Sequence, residues 1–488
     1  MSPDAHRGRS LQLSATGYIL VLLTVAAAIL RLLWLNSKSL WLDEAMSANL
    51  AAGTLRSHVV QFAGTEAHML LYYLMVHWWS RFGGSSEFSL RLPSGIFAVA
   101  TVPLIYALGA ELCDRRVGLM AALLLSVNVT CIQFGQQARG YSMVMMLVVL
   151  SSLLFIWSIK QSSLACERGY VAAGTLAAYA HIFGILILPA QWLSLFLFPT
   201  DRKTRLRMTA RIAMAGLLSL PPIILLIHGD DGQVSWIRPT TAHIVIRTFA
   251  MFAGVYWGYL GGQGLVLFLT YLSMIATAVA GASERERPVV GFLLVSVLLP
   301  VGIVLLVSIG KPLFVDRYLL ICLPFFVLLG AIGIMRIRPP ALVATIVAVI
   351  VALSIFEDHA FYHDGPMQDW RGAVNFVAAN AKRGDVLLVF PEWNKSPVDY
   401  YVDRLSGPTD FRVVTDRLHT LDGTRGTAND QTDALKRFLA QHGINSYERV
   451  WVVTDTAHVD EPAMHELEIG HQVIAGPRRR GVFLTRID

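Results

Sequence analysis

Charged residues and cysteines are both scarce in this chain of 488 residues. Only 15% of the residues are charged and 55% are hydrophobic, and the mean hydropathy is +0.54. This composition excludes an ordinary water-soluble protein and indicates an integral membrane protein. The hydrophilic C-terminal part has no disulfide framework, because no cysteine follows residue 322, and thiol chemistry is not expected. The four cysteines are Cys113, Cys131, Cys166 and Cys322.

Nucleotide-binding motifs and repeats are missing as well. The sequence has neither a Walker loop nor a GxGxxG motif for a soluble nucleotide donor. It also has no internal repeat and no low-complexity tract. The formal net charge of +6 does not indicate nucleic-acid binding, because membrane proteins collect Lys and Arg in their cytoplasmic loops. We therefore interpret the charge as a sign of membrane topology.

Apolar runs long enough to cross a bilayer core of roughly 30 Å recur along the first three-quarters of the chain. Two aromatic segments, 67–82 and 243–261, mix His, Tyr and Trp with aliphatic residues, which is typical of interfacial helices. The sequence therefore predicts interfacial helices in outer loops and about eleven transmembrane helices. The predicted spans lie near residues 14–35, 92–111, 117–134, 141–160, 169–182, 184–199, 208–228, 263–282, 289–309, 316–335 and 340–357.

The basic loops predict the orientation of these spans. With the N-terminus in the cytoplasm, every dense basic loop, including residues 201–211, lies on the cytoplasmic side. The odd number of spans then places the Asp43 loop, the 135–141 junction, the 310–318 loop and the C-terminal part together on the outer face. The prediction is a multi-pass membrane protein with a cytoplasmic N-terminus and an extracytoplasmic C-terminal domain.

From about His359 onward the hydrophobic pattern changes. Short apolar runs bounded by Gly, Asp and Pro are typical of buried strands, and amphipathic segments between them are typical of helices. The sequence therefore predicts a membrane domain over residues 1–357 and a soluble α/β domain over residues 358–488. The predicted strands are 384–390, 411–416, 449–455, 471–476 and 481–487, and the predicted helices are 369–381 and 431–443.

Two adjacent carboxylates, Asp43 and Glu44, follow the first span in the sequence SLWLDEAMSANL. An ionised carboxylate near hydrocarbon and aromatic side chains is costly unless it is solvated, paired or functional. One interpretation is a solvated acid at the start of a helix, where the helix dipole favours negative charge. The other is a functional acid, because further polar residues are predicted on the same face of the membrane.

Basic and aromatic residues occur at the same predicted boundary. Arg139 and Tyr141 lie in GQQARGYS, and Lys311, Arg317 and Tyr318 lie in GKPLFVDRYLL. Snorkelling or an anchoring Arg/Tyr belt would explain these residues without any function. A site that combines carboxylates with guanidinium groups would instead suit chemistry on a phosphate-linked substrate, since Arg and Lys bind a phosphate as it leaves.

Three further polar residues belong to the same predicted face. Glu66 and His68 border the first interfacial helix, and His181 lies between two short apolar segments. A lone histidine is usually a satisfied polar residue, and metal ligation is the alternative. A carboxylate of the site could deprotonate an acceptor hydroxyl. A lipid-linked phosphosugar fits this arrangement, because its polyprenyl tail stays in the bilayer while its headgroup reaches the boundary.

The ordered motifs LWLDEA, LLYYLMVHWWSRF, QQARGYSMVMM, YAHIFGILIL and FVDRYLLICLPFF resemble those of the type C membrane glycosyltransferases. The resemblance covers about residues 15–380. Within this superfamily the sequence is most similar to the family-39-like group, which includes protein mannosyltransferases and bacterial lipid A aminoarabinose transferases. The motifs are specific for the superfamily and carry little information about the substrate.

The resemblance implies inverting transfer from a polyprenyl-phosphate sugar to the hydroxyl of a lipid, protein or glycan acceptor. Asp43 maps onto the catalytic base, with Glu44 beside it, and Lys311 is expected to assist at the donor phosphate. A divalent metal ion stays open as a cofactor, although Gln137 stands where many members carry an acid, which removes a candidate carboxylate for the metal or the phosphate. The resemblance places Arg139, Tyr141, Arg317 and Tyr318 near the donor phosphate, and Glu66, His68 and His181 are acceptor or metal candidates.

Two alternatives to an enzyme remain at this point. A transporter or flippase of lipid-linked sugars would use the same charges only to bind the headgroup. Such proteins commonly bind substrate near the membrane midplane between internal repeats, whereas the polar residues here are predicted at one boundary. A structural membrane subunit would leave Asp43, Arg139 and Arg317 dispensable.

Overall fold

The structure is a computed structural model that describes residues 15–54, 67–228, 237–364, 367–415, 449–455, 473–475 and 482–487. Within these residues, helices predominate as far as His363, and a small sheet with flanking helices follows. The predicted fold class, a polytopic α-helical membrane protein with a C-terminal α/β domain, is confirmed.

The helices up to residue 228 alternate between long apolar helices and shorter helices that interrupt them. In chain order they are α1 (Ala15–Leu32), α2 (Leu42–Ala52), α3 (Leu70–Gly83), α4 (Glu87–Leu112), α5 (Arg115–Ser126), α6 (Val129–Gly135), α7 (Tyr141–Gln161), α8 (Leu164–Ala180), α9 (Ile187–Ser194), α10 (Arg202–Leu218) and α11 (Leu220–His228). Single 3₁₀ turns precede α3 at Ala67–Met69 and α9 at Ile182–Leu186.

The helices after residue 237 also include both long apolar helices and shorter ones. These helices are α12 (Ala242–Phe252), α13 (Gly262–Ala280), α14 (Arg287–Val307), α15 (Leu323–Arg336), α16 (Pro340–His363), α17 (Trp370–Asn380) and α18 (Lys395–Val402). The 3₁₀ segment Asp316–Cys322 continues directly into α15. Helix α16 runs to His363, so its last turns extend beyond the domain boundary predicted at residue 357.

Eight helical segments of the described residues are long and apolar enough to cross a bilayer, counting α10 with α11 and the 3₁₀ segment with α15. The bent pair α5 and α6, whose axes differ by 61°, makes a ninth if it crosses as one span. All eleven predicted spans coincide with helices or with the turns that join them. The fifth and sixth predicted spans fall on α8 and α9, which are only 17 and 8 residues long.

The two aromatic segments predicted to be interfacial form short helices. Helix α3 has 14 residues and α12 has 11, whereas about 20 are needed to cross the hydrocarbon core. Both helices contribute side chains to the polar cluster described below.

The break between α5 and α6 is stabilised by a buried arginine of α1. Arg31 donates hydrogen bonds to the carbonyl oxygens of Leu125 (2.7 Å) and Ser126 (2.9 Å). A broken helix leaves its last carbonyl groups without intrahelical partners, which is costly away from water. Arg31 supplies those partners and so fixes the direction in which α6 leads the chain toward residues 136–141.

The helical segments differ greatly in how much of them the protein covers. Buried residues make up 89% of the apolar stretch within Asp316–Arg336. They make up only 11% of the apolar stretch of α1 and 17% of that of α16. The buried segment therefore forms the centre of the bundle, and α1 and α16 lie at its apolar periphery. The sequence DRY thus lies at the start of the most central helix.

The C-terminal sheet contains five described strands in the order β2-β1-β3-β5-β4. Strand β1 pairs in parallel with β2 and β3, and β5 pairs antiparallel with β3 and β4. All five predicted strands are present, and the predicted helix 431–443 lies outside the described residues. The strands are β1 (Asp385–Val389), β2 (Phe411–Thr415), β3 (Val450–Asp455), β4 (Val473–Ala475) and β5 (Val482–Ile487).

Candidate active site

Asp43 lies in the first turn of α2, between two arginines. Its Oδ2 is 3.8 Å from an Nη2 of Arg139 and 3.8 Å from an Nη2 of Arg317. The side chain is 19% exposed, so a ligand can reach it. The N-terminus of α2 and the two guanidinium groups stabilise negative charge at this position. The structure therefore brings together three residues that lie far apart in the sequence.

Glu44, the next residue, is enclosed by protein. Its carboxylate accepts hydrogen bonds from Nε (2.7 Å) and Nη2 (2.6 Å) of Arg91 and from the backbone N–H of Ala138 (2.8 Å). The residue is 1% exposed. Such a bidentate pair fixes the geometry of both partners. Glu44 therefore joins α2 to α4 and to the segment that precedes Arg139.

Arg91 is a residue of this region that the sequence analysis missed. Besides Glu44, its guanidinium donates to the carbonyl oxygens of Leu35 (2.7 Å), Lys38 (2.7 Å) and Ser39 (3.1 Å). These residues belong to the first loop, which we define as residues 33–41. The available signal was the single charge in SLRLPSG, near the start of a long and mainly apolar helix. Arg91 thus fixes the loop that leads to Asp43.

Arg139 is buried and binds residues of α3 and of the turn before it. Its Nη1 donates to the Tyr73 hydroxyl (2.8 Å) and to the Asp43 carbonyl oxygen (3.4 Å). Its Nη2 lies 3.2 Å from Nε2 of His68. Since a guanidinium can only donate, Nε2 of His68 accepts and the ring proton lies on Nδ1. Tyr73 and His68 therefore orient Arg139 toward Asp43.

His68 carries no positive charge in this environment. Burial, together with the nearby charges of Arg139 and Arg317, lowers the pKa of His68 to about 3. Its ring lies 6.0 Å from the ring of His181, measured between centroids. The neutral ring can accept from Arg139 without adding to the positive charge of the cluster.

Arg317 lies on the other side of Asp43. Its Nε donates to the Tyr141 hydroxyl (3.1 Å). Its guanidinium carbon is 5.9 Å from the ring of Trp41 and 5.5 Å from the ring of Tyr318. Aromatic faces at this distance attract a guanidinium and restrict its plane. Arg317 is therefore oriented by three aromatic residues, two of which the sequence analysis had selected.

Asp316 connects the DRY sequence to α12. Its carboxylate accepts a hydrogen bond from the Arg317 backbone N–H (2.7 Å) and forms an ion pair with Arg247. Arg247 lies 69 positions away, in a segment selected for its aromatic residues, so its pairing could not be read from spacing.

His181 completes the aromatic side of the cluster. Its Nδ1 accepts from the Phe183 backbone N–H (3.2 Å), so the ring proton lies on Nε2. That nitrogen is buried and has no hydrogen-bond partner among the described residues. The ring centroid is 4.9 Å from Tyr318 and 5.6 Å from Tyr141. A buried donor thus lies among rings that contact the two site arginines.

Gly140 permits the close approach that assembles these groups. A Cβ at position 140 would lie 2.6 Å from the Ala180 carbonyl oxygen and 3.2 Å from Cβ of Tyr72. No other residue type fits such a contact without a shift of the backbone. The ARGY segment can therefore lie directly against the end of α8, which places Tyr141 beside His181.

Two predicted site residues are not brought into the cluster by any described contact. Lys311 is exposed, five positions before Asp316. Glu66 lies outside the described residues. Where the structure describes the chain, no group of three or more His, Cys, Asp or Glu side chains is arranged to hold a metal ion. Metal binding by His68 and His181 therefore stays a prediction.

The sequence by itself matches no family model and no curated protein. Solved structures, in contrast, match over nearly the whole chain. The structure of ArnT from Cupriavidus metallidurans in the apo state has 12% identity and a TM-score of 0.60, covering 97% of this chain and 98% of that one.

Two further structures have the same fold. ArnT from Cupriavidus metallidurans bound to undecaprenyl phosphate has 11% identity and a TM-score of 0.58, with coverage of 97% and 98%. The oligosaccharyltransferase from Archaeoglobus fulgidus, tethered to an acceptor peptide, has 12% identity and a TM-score of 0.57, covering 93% of this chain and 72% of that one. The chain therefore has the fold of the type C glycosyltransferases.

Proposed function

We propose that the protein transfers a sugar from a polyprenyl-phosphate donor to an acceptor hydroxyl, with inversion at the anomeric carbon. The observation that carries this proposal is the position of the Asp43 carboxylate, partly exposed and 3.8 Å from each of two arginines. The adjacent Glu44 is buried in its pair with Arg91. Asp43 is therefore the acid of this pair that can meet a substrate.

Each of the site residues has a defined part in the proposed reaction. The acceptor oxygen attacks the anomeric carbon as Asp43 removes its proton, and the bond from that carbon to the phosphate oxygen breaks. The electron pair of the broken bond leaves with the polyprenyl phosphate. Arg139 and Arg317 stabilise the negative charge of that phosphate, so no separate general acid is required. Glu44 is proposed to hold the loop and to take no part in proton transfer.

The proposed donor also fits the distribution of charge and apolar surface. The arginines lie at helix ends next to α3 and α12, helices too short to cross the bilayer. A phosphate bound there would leave its polyprenyl tail within the membrane. One neighbour with this fold is a structure of ArnT bound to undecaprenyl phosphate, which supports the assignment of a lipid phosphate. The sugar and the acceptor, which is a lipid, a protein or a glycan, stay open.

The test is transfer by the purified protein in liposomes that contain a panel of polyprenyl-phosphate sugars. We expect Asp43→Asn to lower transfer by about 10²- to 10⁴-fold, because the amide cannot accept the proton. The same variant should still bind undecaprenyl phosphate. Wild-type turnover by Asp43→Asn would refute the assigned base. Parallel assays with and without a chelator determine whether transfer depends on a metal ion.

A transporter gives a different result in the same liposomes. It would move the lipid-linked sugar between leaflets without forming free polyprenyl phosphate or a glycosylated acceptor. Mass spectrometry of the lipid products therefore separates transfer from transport. In cells, the lipid-linked sugars and glycans that change when the gene is deleted would identify the donor and the acceptor.

We place the protein in a bacterial inner membrane, with the N-terminus in the cytoplasm and the C-terminal domain outside. The basic loops support this orientation. Cys113 is exposed and lies in a loop predicted to be cytoplasmic. Thr409 is exposed in the C-terminal domain. An impermeant thiol reagent should label Thr409→Cys and not Cys113 in intact spheroplasts, and the opposite pattern would invert the topology.

A further inference from the structure

The C-terminal domain contacts the first loop through a tyrosine hydroxyl. Tyr401 of α18, a helix that packs against α2, accepts hydrogen bonds from the Leu40 backbone N–H (2.7 Å) and from Ser39 Oγ (3.2 Å). The same hydroxyl donates to Oε1 of Glu87. Tyr401 is buried, so its one donor and two acceptor positions are all used within the protein.

Arg371 makes a second contact between the same parts. It pairs with Glu87 (2.9 Å), and its Nη2 donates to the carbonyl oxygen of Asn36 (3.1 Å). Its backbone N–H donates to Ser39 Oγ (3.2 Å). Glu87 at the start of α4 thus receives both Tyr401 and Arg371. The contact includes side chains of the bundle, the first loop and the C-terminal domain.

The C-terminal part also supplies a partner for the start of α2. The first N–H groups of a helix lack intrahelical acceptors, and the side chain of Trp41, which precedes α2, can only donate. The Leu42 N–H donates instead to Oε1 of Gln368 (3.1 Å). The indole N–H of Trp370 donates to the same oxygen (2.9 Å). Residues 368–370 therefore orient the amide that caps α2.

The loop that precedes Asp43 is thus held from two sides. Arg91 binds the carbonyl oxygens of Leu35, Lys38 and Ser39 from within the bundle. Tyr401 binds the N–H of the following residue from the C-terminal domain. Because Asp43 lies only three positions further on, a shift of the loop changes its distances to Arg139 and Arg317.

We propose that Tyr401 is a positioning residue, through which the C-terminal domain holds the first loop so that Asp43 faces the two site arginines. This inference rests on the proposed function. Its basis is the hydrogen bond from the Leu40 N–H, which ties Tyr401 to the backbone leading into α2, together with the Glu87 contact, which ties Tyr401 to the start of α4. The C-terminal domain thereby contributes to the reaction without touching the substrate.

The protonation of Tyr401 agrees with this role. Burial and the nearby negative charge of Glu87 raise the pKa of Tyr401 above its ordinary value. The hydroxyl therefore keeps its proton at neutral pH and donates to Glu87 while it accepts from Leu40.

The test uses Tyr401→Phe in the full-length protein, which removes one hydroxyl and keeps the ring. We expect kcat to fall by about 10- to 100-fold, because a buried N–H and a carboxylate each lose a partner. The KM for the polyprenyl donor should change by less than about twofold, since the phosphate-binding arginines keep their contacts. Hydrogen exchange at the amides of Leu40 and Leu42 should become at least about tenfold faster.

Tyr400→Phe is the matched control. The Tyr400 hydroxyl is also used, donating to the carbonyl oxygen of Ser85 (2.8 Å), yet no described contact joins it to residues 39–44. Its kcat and the exchange of Leu40 should stay near wild type. Equal effects of the two variants, or unchanged exchange in Tyr401→Phe, would overturn the proposal.

A second variant keeps the proposal testable if Tyr401→Phe does not fold. Gln368→Ala removes the acceptor that the Leu42 N–H shares with the Trp370 indole and leaves Tyr401 in place. It should lower kcat in the same direction by a smaller factor. Wild-type kcat in Gln368→Ala together with wild-type exchange at Leu42 would contradict the proposal. If the wild-type protein transfers no sugar at all, the proposed function fails. The exchange measurement then still decides whether Tyr401 holds the loop.

Discussion

Asp43 and Glu44 are neighbours in sequence, and both face arginines, yet they lie in different surroundings. The oxygens of Glu44 are 2.6 and 2.7 Å from Arg91, and the side chain is 1% exposed. Asp43 is 3.8 Å from both Arg139 and Arg317 and is 19% exposed. Successive residues of a helix point about 100° apart, which sends one carboxylate into the bundle and the other toward the open side.

The first turn of α2 thus carries one acid with a structural role, Glu44, and one with a proposed chemical role, Asp43. A buried carboxylate is stable only when its charge and its hydrogen-bonding positions are satisfied, as those of Glu44 are. A carboxylate with partners at a longer distance keeps room for a substrate proton and for a phosphate between the arginines. Glu44 and Arg91 thus hold α2 in place, and Asp43 is proposed to react.

Removal of the Glu44 charge that pairs with Arg91 should have the largest effect on stability. Glu44→Gln leaves the charge of Arg91 buried without its counter-ion, which costs about 3 to 5 kcal/mol. We expect a marked fall in the melting temperature of the detergent-purified protein. The double variant Glu44→Gln/Arg91→Gln should recover part of that loss, because no unpaired charge remains.

Glu111→Gln provides the control for this loss. Glu111 pairs with Lys160 at 2.8 Å, but the two side chains are 28% and 49% exposed. Removal of the same charge there should cost no more than about 1 kcal/mol, because water screens an exposed pair. A loss in Glu44→Gln as small as in Glu111→Gln would show that the buried pair does not hold the site.

The proposed phosphate binding by the arginines beside Asp43 can be tested with Arg317→Lys. A lysine keeps the positive charge, but it cannot stack between Trp41 and Tyr318 or offer a planar pair of donors to a phosphate. We expect the Kd for undecaprenyl phosphate in nanodiscs to rise by about tenfold, which corresponds to about 1.4 kcal/mol. The overall fold should be kept, because Arg317 is less enclosed than Arg91.

Arg336→Lys is the corresponding control at the other end of the same helical segment. Arg336 pairs with Glu286 at 3.2 Å and lies far along the segment from the proposed site. Its replacement should leave the Kd within about twofold of wild type. Equal changes in the two variants would indicate a general effect of the helix on lipid binding and would remove Arg317 from the phosphate site.

Much of the architecture follows from local sequence patterns. The lengths of the apolar runs predicted the long helices, and short apolar runs such as DVLLV predicted the strands. Both signals depend only on consecutive residues. The proximity of Asp43, Arg139 and Arg317 was expected from topology and from resemblance to a known superfamily. The structure adds the distances that distinguish Asp43 from Glu44.

The contacts that could not be predicted from the sequence join segments that lie far apart along the chain. Arg91 and Glu44 are 47 positions apart, and Tyr401 and Leu40 are 361 positions apart. No periodicity encodes such a pair. Tyr401 was not among the residues selected from the sequence, whereas the structure buries its hydroxyl against the first loop. Resemblance also could not reveal the contact of Tyr401, since the quoted motifs end before the C-terminal domain.

The smallest effect concerns His68, which accepts a hydrogen bond within the Asp43 cluster and faces Arg139, Arg317 and His181. Its pKa is about 3 in the folded protein against 6.5 unperturbed. Because the unfolded chain binds the proton more readily, stability must fall as the pH drops below 6.5, by about 1 kcal/mol between pH 7 and 5.5. His68→Gln keeps an acceptor for Arg139 but cannot titrate. Its melting temperature should therefore decline less than that of wild type over this interval, and parallel curves would show that the ring does not lose its proton on folding.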